Sequence, residues 1–143
     1  MHDRTMSHSR SRQALDDVLP LSNAALFELF KGLAAPDPAA VTGRYSGHVP
    51  HEIEAGWKQF VTQTGAGEWL GKTFLAEPGA HYAQRGYNRY REGDEVKNRL
   101  RFDFAMGTSK FDHKPALMLF YAPYPNWAGQ QGLIDEVRVL SED

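Results

Sequence analysis

The sequence predicts a mainly β fold, either an antiparallel barrel or a strongly curved sheet, with short N-terminal helices and one helix after the first strand. Three observations predict this class. Glycine, tyrosine and glycine share one face of residues 43–47, because strand side chains alternate. Two hairpins with short turns span residues 68–106. An isolated arginine, Arg138, interrupts the last apolar run. A small sheet around a cavity is expected.

Composition limits the domain count and the classes of partner. The chain has 143 residues, of which 41% are hydrophobic and 24% charged, and this composition predicts one domain, at residues 13–143. Residues 1–12 are mostly polar and are predicted to form a disordered arm. The net charge of -2 supplies no attraction for nucleic acid or anionic lipid. The chain has no cysteine, which excludes disulfides and thiolate chemistry. No secretory signal or membrane-spanning run is recognisable, so a cytoplasmic protein without nucleic-acid or membrane partners is expected.

Helices are predicted on both sides of the first strand. In residues 13–33, apolar side chains recur at spacings of three and four, and Pro20 divides this stretch into two short helices. Ser22 or Asn23 can cap the second of them. A further amphipathic helix is predicted after Pro50, because four apolar residues fall at helical spacing: Ile53, Trp57, Phe60 and Val61.

The rest of the chain is predicted as strands. Residues 95–106 alternate between apolar and charged side chains, which places Leu100 on the dry face and Asp103 on the wet face. The same alternation favours outward positions for Arg99 and Arg101, although their orientation is left open. Six strands are predicted in all. They occupy residues 43–47, 68–76, 81–91, 95–106, 115–122 and 133–140.

The glycine, aromatic, glycine motif at Gly43–Gly47 resembles the start of the first barrel strand in the lipocalin-like (calycin) family. Arg138 is similar in placement to the basic residue that packs on that aromatic in the family. Residues 67–74 and 111–123 resemble an uncharacterised bacterial branch of lipocalin-like proteins. The resemblance implies a lipocalin-like barrel and no particular activity.

Aromatic side chains on neighbouring strands suggest a pocket. Phenol groups there could orient a ligand carbonyl while the rings contact its hydrocarbon part, and solid packing of the same rings is the open alternative. The candidate ligand-binding residues are Tyr45, Trp69, Tyr87, Leu100, Phe102, Phe104, Met118, Phe120, Tyr121 and Arg138.

Candidates for chemistry are few. His48, His51 and Glu52 are close in sequence, but side chains around one tight turn rarely converge on one ion, so no metal site is predicted. The candidate catalytic residues are Tyr45, His48 and Tyr121. In the last strand, Asp135 and Glu136 alternate sides, so if the barrel closes one of them should point inward and pair with an arginine.

Two function hypotheses follow, and the sequence leaves open whether the protein is an enzyme. The first is binding of a hydrophobic or amphipathic small molecule in the cavity. The second is a cofactor-free isomerase or cyclase that acts on a polyene-like or polyketide-like substrate. Neither hypothesis requires a cofactor. A partner-binding loop with Tyr124, Pro125 and Trp127 is a third option, and a homodimer is left open.

Overall fold

A computed structural model describes residues 12–64, 67–126 and 132–141 of the chain. The predicted arm lies outside the described residues except for residue 12, which already belongs to the first helix. The described helices are α1 (residues 12–18), α2 (Asn23–Lys31) and α3 (Glu54–Thr64), with a 3-10 turn at His51–Ile53 before α3. The described strands are β1 (Gly43–Ser46), β2 (Glu68–Leu75), β3 (Gln84–Glu92), β4 (Glu95–Thr108), β5 (Pro115–Phe120) and β6 (Ile134–Val137).

The strands form one antiparallel sheet in the order β1-β2-β3-β4-β5-β6, which confirms the predicted mainly β class. Across the described residues, β1 and β6 are the two edges of this sheet, so the sheet is not closed into a barrel, which was the first of the two predicted forms. Both edge strands have four residues, which leaves little ladder for closure. Small barrels that close usually have about eight strands.

The sheet is nevertheless strongly curved. The Lys72 ammonium on β2 lies 3.2 Å from the Asp135 carboxylate on β6. Three strands lie between β2 and β6, so four strand spacings of about 4.8 Å separate them. In a flat sheet the backbones of Lys72 and Asp135 would therefore be roughly 19 Å apart. Lysine and aspartate side chains cannot span that gap. The face that carries Lys72 is therefore concave, and we call it the inner face.

Aromatic and aliphatic side chains fill the centre of the inner face. The Phe74 ring packs edge-on against Phe102 and Phe104, with ring centroids 5.4 and 5.1 Å apart. These rings occupy the space where the sequence placed a barrel cavity. The buried hydrophobic cluster comprises Val41, Phe74, Tyr90, Leu100, Phe102, Phe104, Leu117, Leu119 and Tyr121.

A bulge in β4 breaks the alternation that the sequence predicted. Leu100 has a positive φ of 50°, and the β3–β4 register shifts between Gly86 and Asn88. Arg99 is consequently paired with Asn88, and directly opposite residues point to the same face. Arg99 therefore lies on the inner face, whereas Val96, expected on the dry face, is 54% exposed. Arg101 is exposed, as the alternation favoured.

Asp103 lies on the outer face and is buried there, so its expected solvent exposure is wrong. The segment at residues 77–82 folds over this face, and its backbone N–H groups at Ala80, His81 and Tyr82 donate to the carboxylate. The Tyr124 hydroxyl donates a fourth hydrogen bond. A strand pattern cannot show that a neighbouring loop will cover one of its polar positions.

The helix α2 is fixed beside β6. The Arg138 guanidinium donates to the Phe30 carbonyl at 2.9 Å, and its carbon lies 4.5 Å from the centroid of the Phe30 ring. Two further hydrogen bonds of 2.6 Å join Arg138 to Asp112. The Phe27 ring contacts Phe111 edge-on, with centroids 5.3 Å apart. These contacts hold α2 next to the last strand and define the walls of a cleft.

Candidate functional site

A cluster of polar side chains lies on the inner face next to the aromatic core. The Lys72 ammonium donates to Asn88 Oδ1 and to the Tyr121 hydroxyl oxygen, both at 2.8 Å, and lies 3.2 Å from Asp135 Oδ2. The Tyr121 hydroxyl donates to the same Asp135 oxygen at 2.8 Å. We call these four residues the Lys72 cluster. Every hydrogen of the ammonium has an acceptor.

The sheet brings the Lys72 cluster together from four places in the chain. Lys72 on β2 pairs directly with Asn88 on β3, so their side chains share a face. Tyr121 follows the last residue of β5, and Asp135 lies on β6. The curvature of the sheet then closes the distance between β2 and β6.

Trp69 and the backbone fix the Asn88 amide. The Trp69 indole N–H donates to Asn88 Oδ1 at 3.0 Å, and Asn88 Nδ2 donates to the Leu100 carbonyl at 2.9 Å and to the Tyr121 hydroxyl at 3.3 Å. Asn88 is 2% exposed. Its amide is therefore held with the oxygen toward Lys72.

Burial shifts the pKa values of the Lys72 cluster. Burial lowers the pKa of Lys72 below its ordinary 10.5, against the opposing effect of the Asp135 charge and hydrogen bond. Burial, and next the Asp135 charge, raise the pKa of Tyr121 far above its ordinary 10.0. Tyr121 therefore stays a neutral phenol that can donate a hydrogen, while the lysine is easier to deprotonate than a solvated one.

Aromatic rings surround the ammonium. The Lys72 nitrogen lies 5.8, 5.5 and 5.6 Å from the ring centroids of Trp69, Phe102 and Tyr121. Cations are attracted to ring faces at such distances. The lysine side chain is 21% exposed. The rings thus keep most water away and leave one side of the amine accessible.

That accessible side faces an open cleft of about 420 Å³ between α2 and β6. Apolar side chains form most of its wall, and Lys72 and Asp135 bring polar atoms to it. Among the residues that the structure describes, the buried Glu136 Oε1 has no hydrogen-bond partner. The residues that line the cleft are Phe27, Phe30, Lys72, Phe111, Ile134, Asp135, Glu136 and Val137.

A second cleft of about 510 Å³ lies at the end of β5 and includes Tyr82, Phe120, Pro123 and Leu133. The Tyr82 and Phe120 rings stack with centroids 3.9 Å apart and an angle of 10° between their planes. Its polar side chains are those of His81, which is exposed, of Tyr82 and of Tyr121, which also belongs to the Lys72 cluster. It has no group of charged side chains comparable to the Lys72 cluster among the residues that line it.

The structure separates the sequence-predicted candidates for chemistry. Tyr121 is in the Lys72 cluster. Tyr45 is 44% exposed, and its ring packs edge-on against Phe74 at a centroid distance of 5.7 Å. His48 is exposed. Arg138, which was expected to pack on Tyr45, stacks on Phe30 of α2 and pairs with Asp112.

The remaining predicted ligand-binding residues occupy three environments. Leu100, Phe102 and Phe104 belong to the buried core, and Trp69 is half-buried beside the Lys72 cluster. Tyr87 pairs with Thr73 and alternates with Asn88, so it lies on the outer face. Met118 and Phe120 also lie on the outer face, because they alternate with the core residues of β5. The Phe120 ring stacks there on Tyr82.

Three members of the Lys72 cluster were not among the sequence-predicted site residues: Lys72, Asn88 and Asp135. One signal was available for Lys72, which shares its strand face with the apolar Phe74. Of Asp135 and Glu136, the sequence expected one to point inward and pair with an arginine. Asp135 points inward, and its partner is Lys72.

The fold and the site together define an open, curved antiparallel sheet with a buried lysine cluster at the side of an apolar cleft. Comparison with protein-family models, curated proteins and solved structures finds no match for the chain. In the parts of the chain that the structure describes, no three histidine or acidic side chains are placed to hold a metal ion. The helices described there are all too short or too polar to cross a membrane.

Proposed function

We propose that the protein binds a small amphipathic molecule in the cleft between α2 and β6. The carrying observation is the position of the Lys72 cluster, where buried polar atoms border an apolar cleft of about 420 Å³. Ligand sites commonly combine an apolar wall with a few fixed polar groups. The cleft replaces the enclosed barrel cavity that the sequence suggested.

The apolar part of the ligand would contact the rings on α2 and Phe111. Phe27 is 39% exposed and Phe111 is 60% exposed, and both line the cleft. Covering such rings removes apolar surface from water, which is favourable at about 25 cal/mol per Å². The two rings come from a helix and from the loop after β4 and contact each other edge-on, so they form one continuous apolar wall.

The polar part of the ligand would be a neutral acceptor such as a hydroxyl or carbonyl oxygen. Lys72 and Asp135 already neutralise each other, so an anion or a cation would find no uncompensated charge in the pair. The Lys72 ammonium is the donor that lines this part of the cleft, and all three of its hydrogens have acceptors within the cluster. A neutral ligand oxygen can replace the Tyr121 oxygen as one of these acceptors, which leaves the ion pair with Asp135 intact.

A cofactor-free isomerase or cyclase is the second candidate function. It is favoured by one observation, the displaced pKa values of Lys72 and Tyr121 in hydrogen-bond contact beside a cleft. Such pairs supply acid and base groups in enzymes.

Membership of the lipocalin-like family is also part of the proposal. It is supported by the Gly43–Gly47 motif and by a curved antiparallel meander that starts at β1. We further propose a cytoplasmic location and a small-molecule partner rather than nucleic acid or membrane, on the basis of composition and net charge.

Native mass spectrometry of freshly purified protein tests the binding proposal first, because a retained apolar ligand would be seen directly. The second test is titration with the neutral fluorophore N-phenyl-1-naphthylamine. Phe111→Ser should weaken binding about fivefold, since partial burial of a phenyl ring is worth about 1 kcal/mol. Val96→Ser is the matched control, because Val96 is similarly exposed, at 54% against 60% for Phe111, and does not line the cleft.

Two results would contradict the proposal. One is the absence of saturable binding of the fluorophore. The other is an equal loss of affinity in Phe111→Ser and Val96→Ser, which would place the bound fluorophore elsewhere. Lys72→Met separates the two candidate functions, since loss of one polar contact should weaken binding modestly but should abolish acid–base turnover.

A further inference from the structure

We propose that Lys72 forms a reversible imine with an apolar aldehyde or ketone held in the cleft between α2 and β6. The inference rests on the proposed function, because Lys72 can react only with a molecule that the cleft admits. It names the ligand class as carbonyl compounds with an apolar body.

The first support is the position of the amine. Lys72 lines the cleft, and its side chain is 21% exposed, whereas the Lys58 side chain on α3 is 75% exposed. The rings of Trp69, Phe102 and Tyr121 lie within 6 Å of its nitrogen. An apolar carbonyl compound in the cleft would therefore meet this amine, and exclusion of water favours an imine over its hydrolysis.

The second support is the arrangement of hydrogen-bond partners. A neutral amine has two N–H groups and one lone pair, whereas the ammonium has three N–H groups. Asn88 Oδ1 and Asp135 Oδ2 can only accept, and they match the two remaining N–H groups. The third partner, the Tyr121 hydroxyl, both donates and accepts. The cluster therefore accommodates the neutral amine by rotation of one hydroxyl hydrogen.

Imine formation balances without an added oxidant or reductant. The Lys72 nitrogen attacks the carbonyl carbon, a C–N bond forms, and the C=O electron pair moves to oxygen, which takes a proton from nitrogen. Tyr121 then gives its proton to the resulting hydroxyl, the C–O bond breaks, and water leaves. The nitrogen lone pair forms C=N, and the last nitrogen proton returns to the Tyr121 oxygen. The released water carries one amine proton and the Tyr121 proton, and the other amine proton restores the Tyr121 hydroxyl.

The charges around Lys72 set the fraction of free amine. Burial lowers the Lys72 pKa, and Asp135 raises it in opposition. Burial raises the Tyr121 pKa, so the Tyr121 hydroxyl stays protonated and can donate its proton. Asp135→Asn removes the carboxylate that favours the ammonium, so this variant should carry more free amine at neutral pH than the unmodified chain.

The test uses the unmodified protein, trans-cinnamaldehyde and sodium cyanoborohydride at pH 7, followed by peptide mapping with mass spectrometry. Cyanoborohydride traps the imine as a stable secondary amine. We expect Lys72 to be labelled about tenfold faster than Lys58, because the cleft holds the aldehyde beside the Lys72 amine, whereas Lys58 lies exposed on α3. Glyoxylate, a carbonyl compound without an apolar body, should not label Lys72 selectively.

The variants extend the test. Lys72→Arg should remove the selective label, Asp135→Asn should increase its rate, and Lys58→Ala should leave it unchanged. Labels confined to exposed lysines, with Lys72 unmodified, would overturn the inference. If cinnamaldehyde still competes with N-phenyl-1-naphthylamine in that case, only the imine is refuted. If neither molecule binds, the proposed function fails as well.

Discussion

Asp103→Asn tests how the segment at residues 77–82 is held over the outer face. Asp103 Oδ1 accepts from the Ala80 N–H at 3.0 Å and from the Tyr124 hydroxyl at 2.6 Å. Its Oδ2 accepts from the His81 and Tyr82 N–H groups at 2.6 and 3.0 Å. Asparagine offers one acceptor oxygen, so in either orientation two donors face the new NH₂ group.

The expected loss follows from the better of the two orientations. The amide oxygen should stay on the His81 and Tyr82 N–H groups, because the Tyr124 hydroxyl can turn and accept from the NH₂ group. The Ala80 N–H alone then loses its acceptor. A buried unsatisfied donor costs about 1–3 kcal/mol, and the remaining bonds lose their charge assistance. We expect the free energy of unfolding to fall by about 2–3 kcal/mol.

The assay is urea unfolding at pH 7, followed by tryptophan fluorescence and circular dichroism. Asp94→Asn in the exposed β3–β4 turn is the matched control and should change stability by less than about 0.5 kcal/mol. Tyr124→Phe alone should cost about 1 kcal/mol. Combined with Asp103→Asn it should cost more than the sum, since the NH₂ group then loses its acceptor.

The stabilisation that the ionised Asp103 provides should depend on pH. Burial raises the Asp103 pKa, but the hydrogen bonds from Tyr124 and the backbone outweigh it, and the folded pKa lies below the ordinary 3.8. The stabilisation is therefore complete above pH 3.8 and is lost as the pH falls through the folded pKa. The difference between the unmodified chain and Asp103→Asn should shrink below about pH 4. A loss at pH 7 no larger than that of Asp94→Asn would refute the role assigned to Asp103.

Three other substitutions test separate parts of the structure. Burial raises the pKa of Tyr90 from 10.0 to about 12. The contribution of the neutral phenol to the free energy of unfolding is therefore complete below pH 10 and is lost as the pH rises through about 12. Tyr90→Phe should reduce the decline of stability over that range by up to about 1.4 kcal/mol per pH unit, measured by urea unfolding at several pH values. Gly79→Ala should cost about 1–3 kcal/mol, because a Cβ would lie 2.6 Å from the Asp103 carboxyl carbon, and an unchanged urea midpoint would contradict this packing. Arg138→Lys should lose the paired hydrogen bonds to Asp112, and hydrogen exchange should then be faster in α2 and unchanged in β3.

Local features of the sequence determined the secondary structure. The turn residues at 77–79 and 92–94 separate β2, β3 and β4 close to where they were predicted. Pro20 separates α1 from α2, and Ser22 caps α2 by accepting from the Ala25 N–H. These signals act within a few residues of chain, so a single sequence contains them in full.

The faces of β4 show where local pattern stops being sufficient. The alternation predicted the directions of Phe102 and Phe104, which are buried as expected. It failed at Val96, because the bulge near Leu100 adds one residue to the strand and reverses the pattern before it. It failed at Asp103 because a separate loop covers that position.

The site depended on tertiary structure throughout. Tyr121 was recognised as a candidate, whereas Lys72 and Asn88 were not, since each is one polar residue in a strand and gains its partners only when the sheet is assembled. The curvature that brings Lys72 to Asp135, and the open edges that replace a closed barrel, depend on how six strands stack over one aromatic core. The sequence by itself thus determined the strands and their antiparallel order. Only long-range packing decided the shape of the sheet and the place where a charged pair meets an apolar cleft.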